Sequence, residues 1–358
     1  MNLLITCAGR RNYLVDYFKE ALHPLGGKVH VFNTDSDSAA YWRADVPGIS
    51  PFADDPTYPE FLENYCVTHH IRAVLSCMDV DLDILAGLKE RFAELGITVI
   101  VADSRFVDMA LDKWQTQQFL IDHQFPITSL YLDLDLAIDA IKRGEEKYPL
   151  FIKPRWGMGS IALFKAENET DLIFYFEKAT QLITGSYHHY GMLRSESKAV
   201  LIQGMLPGEE YGLDVINDLE GNHQVTVVKK KLAMRSGETD IAITIENKEL
   251  EKLGAKIGSL TRHPGIWDVD VFWDGETAYI LEFNPRFGGG YPFSHAAGVN
   301  LPKAIFAWLR NDPVNKEEWL TPRYGVQGMK GITLIVKSEE CRLRRRLRLR
   351  LNKWYEFI

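Results

Sequence analysis

At 358 residues, with 46% hydrophobic and 25% charged residues, the chain has an ordinary globular composition and room for two or three domains with proper cores. A formal net charge of −8 argues against nucleic acid as the main partner, and no apolar run approaches the length of a membrane span. The start, MNLLITCAGRR, lacks the basic head and long apolar core of a signal peptide. Cys7, Cys66, Cys77 and Cys341 show no metal spacing, so reduced thiols in a cytoplasmic protein are expected.

Asn2 to Thr6 is a short apolar run that predicts a buried parallel strand. A helix carrying Leu14, Val15, Phe18, Ala21 and Leu22 follows. Strands at Val29 to Phe32, Ala73 to Ser76 and Thr98 to Val101, with a helix over Leu82 to Phe92, predict a doubly wound, Rossmann-like α/β layer over residues 1–108. Gly9 sits in the first strand-to-helix turn, but a G-x-G-x-x-G fingerprint is absent, because Arg10 and Arg11 occupy the following positions. Those two arginines are candidates to face an anionic substrate across a cleft. Asp79, at a strand's carboxyl end, is a candidate for contact with a substrate amine, with helix capping as its simpler role.

From Leu111 the pattern changes. LDKWQTQQFLIDHQFPI predicts an amphipathic helix stopped by Pro126, with Lys113 near its start. Lys153 lies inside an apolar strand within the run Tyr148 to Pro154. Such burial is costly without a partner, and a polyanionic phosphate is an adequate one. Gly157, Met158, Gly159 and Ser160 follow as a loop whose N–H groups can close over phosphate oxygens, although no P-loop sequence occurs. Residues 171–183 predict a helix, and 185–197, with His188 and His189, a polar loop suited to part of a lid. Strands are expected at Ala199 to Met205 and Val225 to Lys231, and a helix over Leu250 to Leu260.

The stretch DVDVFWDGETAYILEFNPRFGGGY, Asp268 to Tyr291, predicts a hairpin turning at Asp274-Gly275. Folding it brings Asp270 close to Glu282 and Asn284, which leave the same face of the returning strand. Two carboxylates and an amide carbonyl make a hard oxygen cluster suited to Mg²⁺. Pro285 ends the ladder, Arg286 adds a fixed cation, and Gly288 to Gly290 let the backbone approach a ligand.

This order of acid, hairpin, Glu-x-Asn-Pro-Arg and glycine cluster resembles the metal-binding strand pair of the ATP-grasp superfamily, which includes the carbamoyl-phosphate synthetase large chain and D-alanine–D-alanine ligase. The resemblance covers roughly Leu111 to Arg310. It implies a Rossmann-like domain (1–108), a two-lobed ATP-grasp domain (109–312, lid lobe about 150–205) and a C-terminal appendage (313–358), an α/β plus α+β architecture. ATP and Mg²⁺ (Mn²⁺ is an alternative) are the implied cofactors. Lys113 carries over as a phosphate-reaching residue, and Lys153 with Gly157 to Ser160 as the second lysine and lid loop. Gln203, Gly204, Met205 and Leu206 carry over as the adenine hinge, and Glu210 as the ribose acid. Many relatives have Glu where Gln203 stands. Arg235 stands where the carbamoyl-phosphate branch has a histidine, so that branch's product is not carried over.

The implied reaction is ATP-dependent joining of a small-molecule carboxylate and an amine through an acyl phosphate, with Arg286 and Arg235 holding the transferred group. The alternatives are a carboxyphosphate-forming or kinase-like enzyme and a non-catalytic ATP-binding regulatory protein. A homodimer is compatible with this reading. The C-terminal CRLRRRLRLRL, Cys341 to Leu351, fits strand and helix patterns alike, with its leucines packed on the body or its arginines meeting an anionic partner or membrane surface.

Overall fold

A computed structural model describes residues 1–157, 162–184 and 198–336. The expectations for Met158, Gly159 and Ser160, for the 185–197 loop and for the Leu/Arg segment at 341–351 lie outside the described residues.

Strands β1 (Asn2–Thr6), β2 (Val29–Asn33), β3 (Val46–Ile49), β4 (Ile71–Ser76) and β5 (Thr98–Val99) form a parallel sheet in the order β3-β2-β1-β4-β5. The near-continuous apolar runs of β1, β2 and β4 suit a sheet covered on both faces. The helix expected over Leu82 to Phe92 is two, Leu82–Gly87 and Lys89–Glu94. Gly87, a poor helix former, ends the first. The helix expected from Leu111 starts at Lys113 and ends at Asp122, because Asp112, with extended backbone, caps it and separates it from a preceding helix, Ser104–Leu111.

Next, β6 (Leu130–Tyr131), β7 (Leu150–Pro154), β8 (Phe164–Ala166) and β9 (Val200–Gly204) make a small antiparallel sheet ordered β6-β9-β7-β8. Helices Leu134–Lys142 and Glu169–Thr184 cover it and close a core of their own. The large antiparallel sheet follows: β10 (Glu209–Asn217), β11 (His223–Arg235), β12 (Glu238–Thr244), β13 (Gly265–Trp273), β14 (Ala278–Asn284) and β15 (Gln327–Met329). Its order is β14-β13-β10-β11-β12-β15.

The other two cores each cross from the parallel sheet's domain to the large sheet. One joins Val74, Leu85 and Phe106 to Leu213, Trp267 and Val269. The second joins Leu14 and Phe18 to Phe287, Tyr291 and Phe306. The small sheet, with its separate core, therefore stands as a lobe facing a continuous body. Among the described residues no helix is long and apolar enough to cross a membrane.

Candidate active site

The hairpin places its acids through a bulge. Near the turn Trp273 pairs with Ala278 and Val271 with Ile280, but beyond a register shift Asp270 pairs with Glu282 and Asp268 with Asn284. Ile280 and Phe283, three apart, are consequently both buried, as are their partners Val271 and Val269. Without the extra residue, Asp270 would oppose Leu281 and Glu282 would leave from the other face. The turn itself is a four-residue loop, not a two-residue one. The Asp274 carboxylate accepts from the N–H groups of Glu276 and Thr277.

Lys231, on β11, was not singled out in the sequence. Its ammonium lies 2.6 Å from Asp270 and 2.6 Å from Glu210, linking the expected metal acid to the expected ribose acid. Burial opposes its charge, but Asp270 and Glu210 outweigh that and hold its pKa above the ordinary value. Burial pushes the Asp270 carboxyl up. Lys231 opposes the rise, while Asp268 and Glu282 add to it. Only its position in a strand with Lys229 and Lys230 marked Lys231 in the sequence, and parity alone does not tell which of the three faces the acids.

From the body's side, Lys113 reaches from the first turn of its helix to 4.0 Å from Glu282 and donates to the Gly157 carbonyl, beyond β7, at 3.0 Å. Asp112 fixes that helix start: its carboxylate accepts from the Trp114 and Gln115 N–H groups and from Arg155 at 2.8 and 2.7 Å. Lys153 is 8% exposed. Burial, with Lys113 adding like charge and only Glu282 opposing, pushes its ammonium down to about 7. Lys153, from the small sheet, and Lys113, from a helix packed on the body beside β14, thus both act on Glu282.

Gln203 is buried in β9 between Leu130 and Phe151, and Leu206 is buried while Met205 is exposed. A Cβ on Gly204 would overlap the Ser129 hydroxyl, so the strand packs closely there. The chain then crosses to Glu210 through Gly208, whose φ of +91° suits glycine. These positions connect the two sheets at one edge of the gap.

Arg286 is the best-anchored group. Its Nε donates to Asp79 at 2.6 Å and its Nη2 to Asn284 at 2.9 Å. Burial works against its charge, but the Asp79 carboxylate outweighs it and holds the pKa above the ordinary value. Asp79 is therefore engaged with this guanidinium, and it does not cap the turn that follows it. Arg235 stands apart from the converged set. It is two-thirds exposed at the end of β11 and pairs with Asp240 at 2.9 Å, the third residue of β12.

Among the described residues no three His, Cys, Asp or Glu side chains gather into a metal-holding group. The donor set on offer is Asp270 and Glu282, directly paired, with Asn284 two residues on. Hard oxygen donors, two of them carboxylates on cross-strand partners, fit a Mg²⁺ ion that completes its shell with phosphate and water.

Comparison with known proteins bears on the family and the fold. Residues 3–100 match the family described as PylC-like, N-terminal domain, and residues 196–331 match ATP-grasp in the biosynthetic pathway with Ter operon. The chain belongs to the ATP-grasp superfamily. Its parallel sheet is the Rossmann-like domain that precedes the ATP-grasp sheets. A carbamoyl phosphate synthase large chain from Campylobacter jejuni is 22% identical over 226 residues, 60% of this chain and 20% of that one. A carbamoyl-phosphate synthase from Methanobrevibacter smithii is 24% identical over 246 residues, 65% of this chain and 62% of that one. This ATP-grasp chain thus aligns with about a fifth of the first relative's length. Among solved structures, the biotin carboxylase domain of Hydrogenobacter thermophilus 2-oxoglutarate carboxylase, bound to MgADP, ADP and bicarbonate, superposes with a TM-score of 0.69 at 16% identity, covering 91% of this chain and 73% of that one. N5-carboxyaminoimidazole synthetase from Staphylococcus aureus with ADP gives 0.66 at 16%, covering 87% and 78%. Both likenesses concern the fold.

Proposed function

We propose that the chain is an ATP- and Mg²⁺-dependent carboxylate–amine ligase that transfers the γ-phosphoryl group of ATP to a carboxylate and lets an amine displace phosphate from the acyl phosphate. The observation that carries this reading is the gathering of Lys153 from the small sheet and Lys113 from the body around the Asp270–Glu282 pair. Adenine would lie along Gln203 to Leu206, the ribose would reach Glu210, and the triphosphate would run between the lysines and β13–β14. Asp270, Glu282 and Asn284 would hold Mg²⁺, which neutralises phosphate charge when bound.

The two lysines supply positive charge where the bridging oxygen becomes an ADP oxygen. Lys153, pushed down to about 7 without a phosphate neighbour, regains its proton when a polyanion arrives. Arg286, fixed by Asp79 and Asn284, holds the acyl phosphate while Gly288 to Tyr291 line the acceptor side. Atoms balance without a side-chain nucleophile: the carboxylate oxygen bonds to phosphorus as the bond to ADP breaks. The amine nitrogen then bonds to the acyl carbon as phosphate and a proton leave.

The names of the relatives favour a second reading, in which bicarbonate is the acceptor and carboxyphosphate the intermediate. One assay separates the two. ADP and phosphate are measured with MgATP and a panel of carboxylates or bicarbonate, each with and without amines. Ligase action predicts release that depends on an organic carboxylate. Release with bicarbonate alone selects the second reading. In either case Glu282→Gln should lower turnover by about a hundredfold or more, and parent-like ADP release from that variant would sink the metal assignment.

A further inference from the structure

The turn after β1 meets the acceptor side of the site. Arg11 donates from Nη1 to the carbonyl of Phe287, immediately before Gly288 to Gly290. A Cβ on Gly289 would lie 3.3 Å from the Glu238 carboxylate and 3.4 Å from the Lys330 ammonium. Glu238 in turn feels the charges of Arg11 and Arg10, and its pKa is lowered: burial opposes the drop, while Lys330 and the two arginines outweigh it. Arg10, Arg11, Arg286 and Lys330 therefore gather around the glycine turn from two domains.

Their charges are unequally matched. Asp79 is engaged by Arg286 and Glu238 by Lys330, the latter at 3.1 Å. Arg10 and Arg11 form no ion pair with any of the described residues. Asp268 beside Gly288 and Lys229 beside Gly290 also flank the turn, Lys229 held by Asp214, so Arg10 and Arg11 are the cations there without a carboxylate of their own. Arg10 and Arg11 also begin the helix Asn12–Leu22, which has no acidic residue in its first turn and no side-chain cap. Its N-terminus adds positive potential in the same direction. An unpaired arginine at a parallel sheet's carboxyl edge, pinned to the wall of a neighbouring site, is placed to receive a ligand anion.

We infer that the acceptor carries a second anionic group, a carboxylate or a phosphate, in addition to the carboxylate that reacts, and that Arg10 and Arg11 hold this second group. The inference rests on Gly288 to Tyr291 being the acceptor wall. Guanidinium forks match both anions, so the substrate class is a dicarboxylate or a phosphorylated carboxylic acid.

The test is calorimetric titration of the full chain, with ADP and Mg²⁺ present, using butyrate, glutarate and 3-phosphoglycerate. Glutarate or 3-phosphoglycerate should bind at least about tenfold more tightly than butyrate, the size expected for one charge-assisted contact. Arg10→Gln/Arg11→Gln should remove that preference while leaving ADP affinity unchanged. Whichever dianion shows the larger preference names the second group. Equal affinity for all three acids, or a preference that persists in the double variant, overturns the proposal. Arg11→Gln alone serves if the double variant unfolds. A dianion preference lost in the variant, together with no ADP release from any acid and amine, would uphold this site and count instead against the ligase reading.

Discussion

Lys153 has too few acids around it. It is nearly inaccessible, Lys113 adds like charge, and Glu282 is the one acid acting on it strongly. A structural lysine would have a committed carboxylate, and removing one partner of such a pair strands the other at a cost of about 3–5 kcal/mol. Lys231 has that arrangement, with Asp270 and Glu210 both at 2.6 Å. Lys153→Met should therefore keep or raise the melting temperature of the nucleotide-free protein, because it removes a buried charge held against its preference. Its stabilisation by MgATP should shrink, since ligand stabilisation follows affinity. Differential scanning fluorimetry with and without MgATP checks both. An equal MgATP shift in parent and variant would take Lys153 out of the nucleotide site.

At the scale of the element, the connection between the lobes depends on backbone that only glycine tolerates. Gly208 and Gly275 both have positive φ, +91° and +107°, so alanine is strained at either. They differ in surroundings. A Cβ at Gly275 meets nothing within 4 Å, whereas one at Gly208 overlaps the Trp273 carbonyl. Gly275→Ala should cost about 1–2 kcal/mol, the strain alone. Gly208→Ala should cost clearly more, because backbone on a neighbouring strand cannot swing aside as a side chain can. Its shift of the β9–β10 crossing should also weaken nucleotide binding. Urea denaturation of both variants gives the comparison, and equal losses would mean that the contact with β13 relaxes freely.

For the whole molecule, acid sensitivity divides between groups that pull in opposite directions. His263 is 1% exposed, bonded to Val215 and Thr261, and burial pushes its pKa down to about 3. The unfolded chain takes up that proton near pH 6.5 and the folded one does not. The resulting stability is complete above about 6.5 and is lost as pH falls towards about 3. At pH 5 the loss is roughly 2 kcal/mol. The buried carboxyls of Asp81, Asp214 and Asp270 are pushed up by burial and act the other way, gaining stability as pH falls. The test is thus the difference between parent and His263→Gln. Their gap in unfolding free energy, by urea titration, should narrow by roughly 2 kcal/mol between pH 7.5 and pH 5. A gap independent of pH would show that His263 is not held neutral.

The sequence by itself determined the parallel α/β layer, the hairpin acids, the lysine inside an apolar strand and the glycine turn after Arg286. Each depends on local pattern: apolar period, turn residues and polar groups at a fixed offset along one strand. Short-range chemistry also explains the differences there, because Gly87 divides a helix that the apolar spacing joins and Asp112, as a cap, sets the start of the next one at Lys113. What only the tertiary structure decided depends on which segments meet. The bulge that turns Glu282 towards Asp270 is a matter of register, set when Val269, Val271, Ile280 and Phe283 all bury on one side. Lys231 differs from Lys229 and Lys230 in the sequence only by position. Its neighbours Glu210 and Asp270, from two other strands, give it its role, while Lys229 pairs with Asp214 and Lys230 with Glu209. Asp79 and Arg286 are 207 residues apart, and their bond forms because two shared cores carry the parallel sheet against the large one. Arg235, grouped with Arg286 by sequence order, falls outside the site because β11 runs past it into solvent and Asp240 takes up its charge. Charge partners across such separations follow from packing, and local pattern carries no record of them.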